Sequence, residues 1–83
     1  MILPIIHMNG TSKKELIEQR RTALHAISEA LTAIRKMSPN GRDYYPVPGL
    51  LDLAEQVHNT RMYRIKEIHD EILAEAIAIS DSE

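Results

Sequence analysis

The residues best suited to binding chemistry lie in the turn-rich segment 39–49, which reads PNGRDYYPVPG. Arg42 and Asp43 offer polar contacts there, and Tyr44 and Tyr45 offer flat rings. An arginine beside aromatic rings can pair with a phosphate while a base stacks on the ring, each stacking contact being worth about 1–3 kcal/mol. The segment predicts a site for a nucleotide-like anion. The structural alternative is a loop in which Asp43 pairs with Arg42 and one tyrosine plugs the end of a helical bundle.

A second candidate site is formed by four consecutive residues, Asn9, Gly10, Thr11 and Ser12. Ser12 and Glu15 match a capping box, in which the serine hydroxyl accepts from the Glu15 N–H, so a helix should begin directly after Ser12. Free N–H groups at a helix start, a glycine that permits close approach and two hydroxyls can bind an anion. Ordinary helix capping explains the same residues.

His58 and Arg61 of the second predicted helix are candidates to complete the anion pocket, because guanidinium geometry suits phosphate. A simple antiparallel register places them beside His25, and places Arg20 near Glu67. The alternative is that Arg20 and Arg61 lie at the edge of the apolar stripe or pair with a glutamate across the bundle.

The sequence also contains two pairs of acidic residues. The pairs Glu15/Glu18 and Glu67/Asp70 resemble the acidic motifs with which all-α nucleotide pyrophosphatases hold Mg²⁺, but the segment between them is too long for that pattern. The histidines lack the spacing of a zinc site. No catalytic residue, metal site or cofactor is predicted.

The elements that must position these residues are helical. The chain has 83 residues, 43% hydrophobic, without Phe or Trp, and aliphatic residues suit helix-on-helix packing. We expect one domain made of an extended arm or edge strand (1–11), helix one (12–38), a loop (39–49), helix two (50–79) and a frayed polar tail (80–83).

Apolar residues recur in three- and four-residue steps along both helices, with charged residues interrupting them. In helix one the stripe consists of Ile17, Arg20, Leu24, Ile27, Leu31 and Ile34. In helix two it consists of Leu51, Ala54, His58, Arg61, Ile65, Ile68, Ile72, Glu75 or Ala76, and Ile79. The prediction is a long antiparallel helical hairpin.

One hairpin cannot cover both of its stripes, and a chain of this length buries only about 60% of its unfolded surface. We therefore expect hairpins to assemble into a homo-oligomeric bundle, with the apolar arm helping to seal the interface. Antiparallel association would bring the helix start of one chain beside the loop of another and create a composite site.

Charge and composition exclude several classes of partner. The net charge is −2, which argues against binding to duplex nucleic acid, and the absence of cysteine excludes disulfides and thiolate metal sites. The apolar opening residues lack the pattern of a signal peptide, and no run is long enough to span a membrane.

The combination of HxNGTS at residues 7–12 and PNGRDYYP at residues 39–46 resembles a family of small, uncharacterised helical proteins encoded by bacteriophages. The similarity extends over nearly the whole chain and includes Ala54, His58 and Arg61. In size and helical architecture the chain is also similar to phage sponge proteins that sequester nucleotide immune signals.

These resemblances imply a protein of the host cell cytoplasm that binds a cyclic oligonucleotide or an ADP-ribose-type signal without catalysis. Two alternatives stay open. One is a structural or protein–protein interaction module of a phage, either a host-protein inhibitor or a virion component. The other is a Mg²⁺-dependent nucleotide hydrolase.

Overall fold

The structure, a computed structural model, describes residues 1–82 and contains two α-helices. Helix α1 spans Lys13–Arg35, a 3₁₀ turn spans Gly41–Asp43, and helix α2 spans Leu50–Asp81. No strand occurs in residues 1–82, so the all-α prediction is confirmed and the alternative of an N-terminal edge strand is wrong. Neither helix in that range has the apolar length that a bilayer crossing requires.

The start of α1 lies beside the end of α2. The Ser12 hydroxyl accepts from the Glu15 N–H at 3.1 Å, which confirms that half of the predicted capping box. The other helix, α2, continues to Asp81, two residues beyond the predicted end at residue 79; Glu83 lies outside the described residues. Lys13 Nζ donates to the carbonyl of Ser82 and joins the two helix ends.

The predicted register between the helices is wrong. Arg20 bonds to Glu75 and not to a group near Glu67: its Nε and Nη2 atoms donate to Glu75 Oε1 at 2.9 and 2.7 Å. The register differs because α1 ends at Arg35, earlier than the predicted residue 38, and the chain after it continues alongside α2. Ser38, in that continuation, contacts His58 at 3.1 Å.

The molecule is elongated and leaves much of its apolar surface exposed. Its principal extents are 63 × 20 × 17 Å and its radius of gyration is 18.6 Å, whereas a compact chain of this length would have about 12 Å. Within residues 1–82 the buried side chains are Leu16, Leu31 and Ile79. The hairpin-like fold therefore has a thin core.

The predicted burial of the apolar stripe is correct along α1 but only partly correct along α2. All members of the α1 stripe are buried or partly covered, and Arg20 occupies its place there by pairing with Glu75. In α2 the prediction is wrong at Arg61 and Ile68, which are exposed. Met62 and His69, one residue further along, are partly covered instead, because α2 is rotated slightly toward them.

Candidate functional site

A groove of about 350 Å³ lies at the loop end of the molecule, between α2 and the segment that follows α1. Three predicted site residues, Tyr44, His58 and Arg61, line this loop-end groove. The other lining residues are apolar: Met37, Pro39, Leu50, Leu53, Ala54 and Val57. The groove thus combines an aromatic ring, an imidazole and a guanidinium on an apolar floor.

The His58 imidazole lies within hydrogen-bond distance of the segment that follows α1. The Ser38 hydroxyl is 3.1 Å from His58 Nε2 and 2.7 Å from the carbonyl oxygen of Arg35. This contact joins the partly covered His58 ring to the end of α1.

Arg61 connects the loop-end groove to a second groove of about 400 Å³ that continues along α2. Arg64 also lines this second groove, together with Ile34, Met37, Ile65 and Ile68. In the part of the chain that the structure describes, neither arginine has a carboxylate within salt-bridge distance. No lining residue of either groove is acidic, so this face is locally cationic on a chain with a net charge of −2.

The remaining loop candidates lie outside the groove. Arg42 and Asp43 belong to the 3₁₀ turn, which begins where the Asn40 side chain accepts from the Arg42 N–H at 3.0 Å. The proposed salt bridge between Arg42 and Asp43 is absent from the described residues, so that part of the structural alternative is wrong. Tyr45 is 78% exposed.

The helix-start candidates lie at the far end of the hairpin. Asn9, Gly10, Thr11 and Ser12 are all exposed, and α1 separates them from the loop by about 34 Å at 1.5 Å per residue. The Gly10 N–H donates to the carbonyl of His7 at 3.2 Å, and the His7 ring folds against the glycine. A single chain therefore does not bring the two halves of the predicted site together.

A groove of about 800 Å³ lies between the N-terminal arm and α2, where Met1 and Tyr63 form part of its wall. Its lining is acidic, with one lysine, Lys66, against four carboxylates: Glu67, Asp70, Glu71 and Glu75. This groove is unsuited to an anion. Among residues 1–82 no group of three or more acidic or histidine side chains is arranged to hold a metal ion.

Sequence reasoning missed two residues, Arg64 on the cationic face and Ser38 beside it. Ser38 contacts His58, but a serine before a proline has no distinctive sequence signal. Arg64 could have been found, because it follows Arg61 by three residues and so lies on the same face of a helix.

Comparison of the chain with family models, with curated proteins and with solved structures finds no match in any of the three.

Proposed function

We propose that this chain is a non-catalytic, bacteriophage-encoded binding protein that sequesters a small nucleotide-like anion in the host cytoplasm. The ligand class is a cyclic oligonucleotide or an ADP-ribose-type immune signal. The observation that supports the proposal is the loop-end groove, where Tyr44, His58 and Arg61 meet without any acidic neighbour in the lining.

Each of the three side chains has a role that its chemistry suits. Tyr44 is partly covered and can stack on a base, and Arg61 can form a two-pronged contact with a phosphate because its guanidinium has no acidic partner in residues 1–82. His58 adds an imidazole ring that contacts Ser38. Exposed Arg42 and Tyr45, with Asp43, can close over a ligand from the loop.

The complete site requires more than one chain. A groove of about 350 Å³ is at the lower limit for a small-molecule site, which usually measures about 300–1,000 Å³. In an oligomer of antiparallel hairpins, the Asn9–Ser12 segment of a neighbouring chain can supply amide and hydroxyl donors. Affinity would then depend on assembly.

A thermal-shift screen with cyclic dinucleotides, cyclic trinucleotides and ADP-ribose derivatives tests the proposal. A ligand at about 100 times its dissociation constant stabilises the folded state by about 2.7 kcal/mol, so the melting temperature should rise. Tyr44→Leu, which keeps the apolar volume and removes the stacking ring, should abolish the rise. Arg35→Ala removes an arginine outside both groove linings and should leave it unchanged.

Recovery of the ligand separates sequestration from turnover. After incubation and heat denaturation of the complex, chromatography should return the intact nucleotide in full. A Mg²⁺-dependent loss of ligand that disappears in Glu18→Gln would instead support the hydrolase. Absence of a shift with all three ligand classes would refute nucleotide binding.

The second candidate function is a protein-interaction module, and the observation that favours it is the exposed apolar flank of α2. Leu53, Val57 and Ile68 are exposed by 58, 51 and 51%. A purified host or virion protein that binds Tyr45→Ala and Arg42→Ala variants normally, but not a Val57→Asp variant, would support this function.

A further inference from the structure

One face of α2 carries a charge pattern that is complementary to the same pattern on a second, antiparallel helix. The residues Arg61, Arg64, Ile68, Glu71 and Glu75 follow one another in steps of three and four, so they share one side of the helix. Arg61, Arg64 and Glu71 are exposed, and Ile68, at the centre, is 51% exposed. We call these five residues the α2 stripe, which is distinct from the apolar stripe predicted for helix two.

The stripe is arranged about Ile68. Arg61 and Glu75 lie seven residues before and after it, and Arg64 and Glu71 lie four before and three after. A two-fold axis through Ile68 places Arg64 of one copy opposite Glu71 of the other. Arg61 falls level with Glu75, which Arg20 already engages, and so stays available to the loop-end groove. We infer that a second copy of this chain binds here, with the two α2 helices antiparallel and the two Ile68 side chains in contact.

The two charges that face each other across the axis, Arg64 and Glu71, are free to make these contacts. Within residues 1–82, Arg61, Arg64 and Glu71 have no salt-bridge partner, and only Glu75 is engaged, by Arg20. An isologous interface requires a self-complementary surface, and this pattern supplies one. A parallel arrangement would instead set like charges against each other.

The chain has surface that a pairing can cover. It exposes 6609 Å², whereas a compact monomer of its mass would expose about 5,000 Å². The excess of about 1,600 Å² belongs to the whole elongated molecule, and a pairing along α2 would cover part of it. Part of this excess belongs to the N-terminal arm, where Ile2 and Ile5 are 92 and 81% exposed.

The pairing also determines which ends of the two copies meet. Ala54, in the loop-end groove, lies fourteen residues before Ile68, and Ser82 lies fourteen after it. Ser82 contacts Lys13, at the start of α1. The helix start of one copy is therefore level with the loop-end groove of the other.

Charge reversal with rescue tests the inference, read by size-exclusion chromatography with light scattering and without ligand. Wild type should be a dimer or an even multiple of it, and Arg64→Glu or Glu71→Arg alone should raise the dissociation constant about tenfold or more. The double variant should restore assembly. Lys14→Glu and Glu55→Arg reverse exposed charges off the stripe and should not affect it.

Cross-linking gives a second measurement that does not depend on stability. The chain has no cysteine, so Ile68→Cys places one thiol per copy on the proposed axis, and mild oxidation should yield a covalent dimer. Asn59→Cys, off the stripe, should not. A monomeric wild type at high micromolar concentration, or a double variant without rescue, would overturn the inference; neither result would depend on nucleotide binding.

Discussion

The two ends of the hairpin differ in how far their side chains are buried and paired within the chain. At the terminal end, where α1 begins and α2 ends, Leu16 and Ile79 are buried and Arg20 pairs with Glu75. At the loop end, Leu53 and Val57 are more than half exposed. The terminal end therefore holds two of the three buried side chains and the Arg20–Glu75 ion pair, whereas the loop end leaves more of its apolar side chains exposed.

The largest difference should appear in the core. Ile79→Ala removes a side chain that is 2% exposed and should lower the free energy of unfolding by about 2–4 kcal/mol. Val57→Ala, at a position 51% exposed, should cost less than about 1 kcal/mol. Urea unfolding at one fixed protein concentration measures both, and equal losses would remove the distinction between the ends.

The ion pair of the terminal end should make the next largest contribution to the free energy of unfolding. Glu75→Gln leaves Arg20, whose side chain is 21% exposed, without its charged partner and should cost about 1–2 kcal/mol. Glu29→Gln removes the contact with His25, where the side chains are 71 and 76% exposed, and should change nothing measurable. Thermal unfolding of the two variants compares them; a loss in Glu29→Gln as large as in Glu75→Gln would contradict the assignment.

At the loop end, stability should depend on the backbone conformation of one glycine. Gly49 precedes α2 with a φ of 81°, so Gly49→Ala should destabilise the fold by about 1 kcal/mol. Gly41→Ala is the matched control, because its Cβ would make ordinary contact, 3.7 Å from Leu51 Cδ2, at a normal φ. Calorimetry should find a lower melting temperature in the Gly49 variant alone.

The smallest effect should come from the exposed loop arginine. Arg42 has no ion pair in the described residues, so Arg42→Ala should change the free energy of unfolding by no more than about 0.5 kcal/mol. Asn40→Ala, which removes the acceptor for the Arg42 N–H, should cost more. If Arg42→Ala were the more damaging variant, the loop would be held by a contact other than this turn.

Local patterns predicted the parts of the fold that depend on neighbours in sequence. The Ser12–Glu15 cap and the α1 stripe follow from spacing alone. The register does not, because it depends on a pair 55 residues apart, Arg20 and Glu75. Spacing could not show that His69 rather than Ile68 would be covered, since a small rotation of α2 decides between them.

The candidate site was predictable only in part. His58 and Arg61 share a helix face, and the structure adds Tyr44 because the loop folds back over the first turns of α2. Tyr45, the next residue along the loop, is 78% exposed and does not line the groove, and no sequence rule distinguishes the two tyrosines.

The contact between His7 and Gly10 depends on the absence of a side chain at position 10. A Cβ atom on Gly10 would lie 2.7 Å from Nε2 of the His7 ring, so any other residue at position 10 must displace the ring. The ring is the far end of an exposed side chain, so the chain can accommodate such a change by turning His7 away, without a change at position 7.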